Sequence, residues 1–181
     1  FNYMKNLSVT IIGLGGIGSW ASLAISRLHP QRMSLYDYDN VELVNMAVQC
    51  YFESNVGESK VRAVTNMVRD LSSYYRTNGY VAHGRAKAPI VICGLDNMSS
   101  RKEMFTEWLG YIKEESEQKR LDISKCLFID GRLNAEEYQV FCIMGNDPYS
   151  QQLYQEKYLF DDKEVTESVC SYKQTSYCAM M

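Results

Sequence analysis

Apolar and polar positions alternate between two rhythms along this chain. LSVTII (7–12) and RMSLYD (32–37) read as strands, and PIVICG (89–94) is a continuous apolar strand of the kind buried on both faces of a parallel sheet. Helical spacing separates them. Ile17 to about Leu28 predicts a first helix, and Glu58 to Tyr75 predicts a second with Val61, Val64, Val68 and Leu71 on its apolar face. A charged third helix is expected from Ser99 to Arg120, and its end, IKEESEQKR, reads as a solvated face. NGYVAH (78–83) predicts a further strand, as do KCLFID (125–130) and EYQVFCIM (137–144). Only GRLNAEE joins the last two, too short for a crossover helix, so that pair is expected to be antiparallel. The expectation is an α/β fold in one unit over 1–181: a Rossmann-like, doubly wound, mainly parallel sheet with an antiparallel strand pair toward the C-terminus.

Three places break the rhythm. At HGRAKAPIV one strand passes into the next with almost no connection, as if a stretch were missing. The polar segment NDPYSQQLYQEKYLFDDKEVTES predicts a mobile loop or an excursion over the active face. The final SYCAMM reads as the first turns of an apolar helix without cap or polar tail, so the chain is expected to be truncated there. Ala179, Met180 and Met181 would then be core or dimer-contact residues.

Composition changes this picture little. A formal net charge of -3 leaves no basic footprint, which disfavours nucleic acid as a partner. No apolar run approaches the ~18 residues of a membrane span, and no signal peptide precedes the first strand. The six cysteines are scattered and form no C-x-x-C pair, a pattern of reduced thiols in the cytoplasm that also leaves no structural zinc site. Cys50, Cys93, Cys126 and Cys142 read as core or near-core thiols. The tyrosines of SSYY and YSQQLYQEKY read as closing a loop over a core edge.

Chemistry concentrates after the first strand. GLGGIG supplies Gly13, Gly15, Gly16 and Gly18: Gly13 for a tight turn, Gly15 for backbone approach to phosphate, Gly18 for close packing of helix on strand. The helix N-terminus that follows favours an anion. Asp37 ends the second strand, 19 residues beyond Gly18, where a carboxylate accepts from ribose hydroxyls. This unit alone suits NAD as well as ATP. DYDNVELVN then adds Asp39 and Asn45, VGESK sets Lys60 at a helix start, and CGLDNMSSR sets Asp96 and Asn97 past a strand end. A lysine and carboxylates beside a phosphate loop suit a triphosphate with magnesium, which needs hard oxygen ligands.

In that order, GLGGIGS, DYDNVELVN with Gln49 following, GESK, DN with Arg101 following, and FIDGRLNAEEYQV resemble the ThiF/MoeB/HesA family, relatives of ubiquitin-activating enzymes. The resemblance spans about Leu7 to Val140, with weaker similarity through CSYKQTSYCA. It implies ATP- and magnesium-dependent adenylation of a carboxylate, usually the C-terminus of a small ubiquitin-like or sulfur-carrier protein, by a homodimer. By match, Gly13 to Gly18 would hold phosphate and Asp37 the ribose. Asp39, Asn45, Gln49 and Asn97 would line the nucleotide site, Lys60 would neutralise the triphosphate, and Asp96 would bind magnesium. His29 and His83 fall in no motif, in keeping with a nucleophile that is already ionised. The family's usual arginine in N-x-x-R-Q is replaced by Val48 in NMAVQ. Either Arg62, Arg101, Arg132 or a partner subunit compensates, or the chain is a catalytically silent binding subunit. An NAD-dependent oxidoreductase is the remaining alternative. Cys170, before a predicted helix start, is the one candidate for a thioester-forming nucleophile, against the reading of a small buried turn residue.

Overall fold

The computed structural model describes residues 4–134 and 137–160. Six strands build one sheet: β1 (Ser8–Ile12), β2 (Arg32–Asp37), β3 (Thr77–Val81), β4 (Ile90–Cys93), β5 (Leu127–Asn134) and β6 (Glu137–Met144), in the order β3-β2-β1-β4-β5-β6. The first five are parallel, and β5 and β6 form the expected antiparallel pair, with Phe128 paired to Ile143 and Asp130 to Phe141.

Alternation along the strands divides the interior. Val9 and Ile11 of β1, Met33 and Leu35 of β2 and Ile92 of β4 point to one side, where α1 (Gly18–Ser26) and α2 (Lys60–Ser72) cover them. Helix α1 buries only Gly18, Ser19, Ser22 and Ser26, and these small residues let it lie close to the sheet. Helix α2 starts at Ser59, whose Oγ accepts from the Arg62 N–H, and stops where Ser73 turns left-handed (φ 51). It buries Val61, Val64 and Val68 as its spacing predicts, but Leu71, in its last turn, is exposed.

The opposite side holds α3 (Met98–Glu117), which buries Met104, Phe105, Trp108 and Ile112 against Val91, Cys93 and Phe128. Asn97 caps it, its Oδ1 accepting from the Ser100 N–H at 2.8 Å. Eight residues join β3 to β4. Residues 82–89 cross from the sheet edge over β2 and β1 as an extended strap instead of a helix. Eight residues reach about 26–29 Å, ample to pass three strand spacings of ~4.8 Å. Ala86 and Ala88 seat the strap in the α3-side core, and the Ala86 N–H donates to Glu107 Oε2 at 2.6 Å. At Gly84 a methyl would run into the Ile12 side chain, so only glycine lets the strap pass there.

The polar segment after β6 is not a loop over 148–158. It forms α4 (Pro148–Leu153), capped by Asp147, and continues as a wider turn through Tyr158. Tyr154 anchors it, 2% exposed among Phe105, Phe128 and Phe141. Cys142, read as a core or near-core thiol, is exposed: it lies on β6, the edge strand of the sheet. Cys93 and Cys126 are buried and Cys50 is half-buried. Cys170, Cys178, Ala179, Met180 and Met181, with the terminal resemblance, lie outside the described residues. Among the described residues no helix is long and apolar enough to cross a membrane.

Candidate functional site

The C-terminal ends of β1, β2 and β4 meet at the glycine-rich turn, the place where open α/β sheets bind ligands. The three glycines of the G-x-G-x-x-G pattern have different work there. Gly13 sits at φ +81, and a methyl on it would lie 2.6 Å from the Gly94 carbonyl oxygen. A methyl on Gly18 would lie 1.9 Å from the Gly13 oxygen. These two are demanded by the protein's own packing. Gly15 is not: its nearest neighbour would be Gln49 Nε2, 4.0 Å away. That room lies at the start of α1, which has no side-chain cap, and it suits an incoming phosphate oxygen.

Asp37, 9% exposed at the end of β2, ties this turn to the next segment. Its Oδ2 accepts from the Leu14 N–H at 2.7 Å and its Oδ1 from the Asp39 N–H at 2.8 Å. Each oxygen keeps a second lone pair for a ligand hydroxyl. Asp39 in turn accepts from Lys60 Nζ at 2.9 Å, and its carbonyl accepts from the Lys60 N–H at 3.0 Å. Val41 and Gly57 add backbone hydrogen bonds that clamp 39–41 against 57–60. Lys60 is thus delivered, nearly buried, by the first turn of α2, while Asp39 stays half exposed.

Gln49 is brought to Gly15, and its Oε1 is buried without a hydrogen-bond partner. Three residues that sequence reasoning passed over hold it there. Ser19 Oγ donates to the Gly15 carbonyl at 2.7 Å and accepts from the Cys50 N–H at 3.0 Å. Tyr51 Oη donates to the Leu14 carbonyl at 2.6 Å. Burial, with Asp37 nearby, pushes its pKa well above the usual phenol value, so it remains a donor. Trp20 Nε1 donates to the Val48 carbonyl at 3.0 Å. The only signal for any of these is the serine that follows Gly18 directly.

Asp96 and Asn97 leave β4 beside Gly13. Asp96 is exposed; Asn97 caps α3 and donates from Nδ2 to Asp96 Oδ1 at 3.1 Å. Asn45 also has a structural partner, its Oδ1 accepting from the Glu42 N–H at 2.8 Å in a short turn over Leu43–Ala47.

The arginine position is a different matter. Val48 is 5% exposed, and the three candidate substitutes are engaged elsewhere. Arg62 is exposed and pairs with Glu58. Arg101 donates to Asp130 Oδ1 and to the carbonyls of Leu95 and Gly131. Arg132 donates from Nε to Asp130 Oδ2 at 2.7 Å and from Nη2 to the Tyr158 carbonyl at 2.8 Å. Tyr154 Oη completes the cluster, donating to Asp130 Oδ2 at 2.8 Å. Asp130 is therefore a fully buried hub, and through Arg101 it holds the Leu95 carbonyl next to Asp96.

The sequence model of the ThiF family matches residues 2–107. Similar proteins include the ubiquitin-like modifier-activating enzyme 5 of Dictyostelium discoideum, 36% identical over 72 residues that make up 40% of this chain and 19% of that one. The Branchiostoma floridae protein of the same name is 27% identical, with 59% of this chain and 31% of that one covered. The chain spans less than a third of the length of these relatives. Among solved structures, PaaA superposes with a TM-score of 0.71 at 18% identity, covering 98% of this chain and 53% of its own. The E. coli tRNA N6-threonylcarbamoyladenosine dehydratase TcdA gives 0.56 at 18% identity, covering 75% and 56%. At that identity the two structures share the fold.

Proposed function

The chain belongs to the ThiF family, and from that premise we propose that it binds ATP with magnesium and adenylates a carboxylate. The relatives named as ubiquitin-like modifier-activating enzymes support the C-terminal carboxylate of a small ubiquitin-like protein as substrate, with a sulfur-carrier protein the related choice; action as a homodimer in the cytoplasm is part of the same proposal. The observation that carries this reading is the division among the glycines: Gly13 and Gly18 are forced by packing, while Gly15 leaves room beside an uncapped helix start and the unpartnered Gln49 Oε1.

In this reaction a carboxylate oxygen attacks the α-phosphorus. A C–O–P linkage forms, the bond from the α-phosphorus to the bridging oxygen breaks, and pyrophosphate leaves with the electron pair. The nucleophile is already ionised, so no general base is needed. Like charges must instead be brought together, which calls for cations and aligned donors. Lys60 is the cation at hand, once the triphosphate competes with Asp39 for its ammonium. Asp37 would hold the ribose through its spare lone pairs. Magnesium, when bound, would supply charge screening on the phosphates, and the exposed carboxylate of Asp96 is the residue that would hold it beside the phosphate oxygens.

Calorimetric titration with ATP, with and without magnesium, together with ATP–pyrophosphate exchange, tests the reading. Magnesium-dependent ATP binding is expected, weakened by Lys60→Ala and by Asp96→Ala. NAD binding without ATP binding would refute it. A second reading, a silent subunit that keeps the fold to bind a partner, is favoured by buried Val48 and by the engagement of Arg62, Arg101 and Arg132. ATP binding without pyrophosphate exchange would select it.

A further inference from the structure

Interior strands of a parallel sheet are ordinarily apolar on both faces, and β1 and β2 are not. At the strand starts Ser8 and Thr10 of β1 and Arg32 and Ser34 of β2 alternate with buried Val9, Ile11, Met33 and Leu35, so the α3-side face is polar there before Ile12 and Tyr36 return it to the core. The strap at 82–89 covers this face in place of a helix: it buries Thr10 and leaves Ser8 and Ser34 half-buried and Arg32 exposed. Between these strand starts, the strap and the end of α3 lies a depression of about 420 Å³, a size common for small-molecule sites.

Its lining is one-sided in charge. Arg32, Lys87 and Arg120 contribute cations, Ser8, Thr10 and Ser34 contribute hydroxyls, and among the described residues no carboxylate lines it. Arg120 is held by Glu115 at 2.6 Å. Among the described residues neither Arg32 nor Lys87 has a salt-bridge partner. We propose that this depression is a second ligand site, for a small molecule carrying two or more phosphate or carboxylate groups. Two uncommitted cations set the minimum ligand charge. The guanidinium fork and the hydroxyls supply donors suited to phosphate or carboxylate oxygens. The site is separate from the glycine turn: it opens at the first residues of β1, and five residues of strand put about 13 Å between the two ends.

The test is an amide NMR titration of the whole chain with inorganic pyrophosphate and, separately, with citrate. Saturable shifts at Ser8, Thr10, Ser34 and Lys87 are expected with at least one of them. Arg32→Gln with Lys87→Gln should weaken that binding at least tenfold, and Lys60→Ala should leave it unchanged. Both altered residues are exposed, so folding is not at stake, and circular dichroism verifies it. Shifts with pyrophosphate alone assign a phosphate ester, and shifts with both assign a general polyanion site. Shifts confined to Gly13–Gly18, affinity unchanged in the double variant, or binding of a long polyanion such as heparin alone would each overturn the proposal. Failure of ATP to bind at the glycine turn would leave this result untouched, so the two readings fail separately.

Discussion

Replacing Asp130 by asparagine removes the one negative charge on which two buried arginines converge. Its side chain is 0% exposed, and those of Arg101 and Arg132 are 6% and 11% exposed. Burial already pushes the Arg101 pKa below its usual range, so its charge is held in place by what surrounds it. Asparagine keeps the shape and one acceptor but leaves both guanidiniums uncompensated. Breaking a buried pair in this way costs about 3–5 kcal/mol. For a domain of this size each kcal/mol moves the melting temperature by about 2–4 °C, so a drop on the order of 6–20 °C is expected. Tyr154→Phe removes a single hydrogen bond to the same carboxylate, worth about 1.5–3 kcal/mol, and should shift the melt about half as far. Replacing all three charges together, Asp130→Leu with Arg101→Met and Arg132→Met, should recover part of the loss, because no charge is then stranded. Urea denaturation followed by circular dichroism, alongside thermal melts, measures all three. If Asp130→Asn melts within about 2 °C of the parent, less than 1 kcal/mol on the same scale, the hub is not a stabilising centre. A Tyr154→Phe loss equal to that of Asp130→Asn would show that the charge argument is wrong.

Alkaline pH should unfold the protein through its buried phenols. Tyr74 and Tyr154 are pushed up to about 12 by burial, against about 10 in the unfolded chain. Their contribution is whole below pH 10 and is lost as pH rises toward 12. Melting temperature should fall across that window, less steeply in Tyr154→Phe; an unchanged slope in that variant would refute the assignment. Among Cys50, Cys93, Cys126 and Cys142, the exposed Cys142 should be alkylated first by iodoacetamide at pH 8, read by peptide mass spectrometry. Cys93 and Cys126 should lag, since burial raises their thiol pKa values. Gly57→Ala, at φ +88 with nothing within 4 Å of the added methyl, should cost only the ~1–2 kcal/mol of left-handed backbone. Gly18→Ala must displace the Gly13 backbone and should exceed the ~1–3 kcal/mol of ordinary overpacking.

Local pattern carried much of this molecule. The strand-turn-helix unit around Gly13, the acid at Asp37, the hairpin after Phe128 and the start of α2 at Lys60 all follow from neighbouring residues. What was illegible depends on distant parts of the chain. The run VFCIM looks like core, and only the strand order makes β6 an edge strand, on which Cys142 is exposed. HGRAKAPIV is too short for a helical crossover; alanines at 86 and 88 and glycine at 84 let an extended strap lie on the sheet instead. The Asp130 hub gathers side chains from α3, β5 and the turn after α4. No spacing announces it.

The same dependence decides how the motif residues should be read. Matching the motif gives Gly13, Gly15 and Gly18 equal weight, yet only Gly15 is free of packing demands, so its lack of a side chain is best explained by something outside the protein. Asn97 and Asn45 match the motif too, but each has its side-chain oxygen spent on a backbone N–H, and their presence argues first for the loop shape around the site. Lys60 and Asp39 lie between these cases. Their ion pair satisfies both partners without a ligand, with Lys60 nearly buried and Asp39 half exposed, so in the proposed reaction a triphosphate would have to compete with Asp39 for the ammonium. Under the proposed adenylation the valine at 48 would leave the triphosphate one cation short, and Arg62, Arg101 and Arg132 are each committed to other partners.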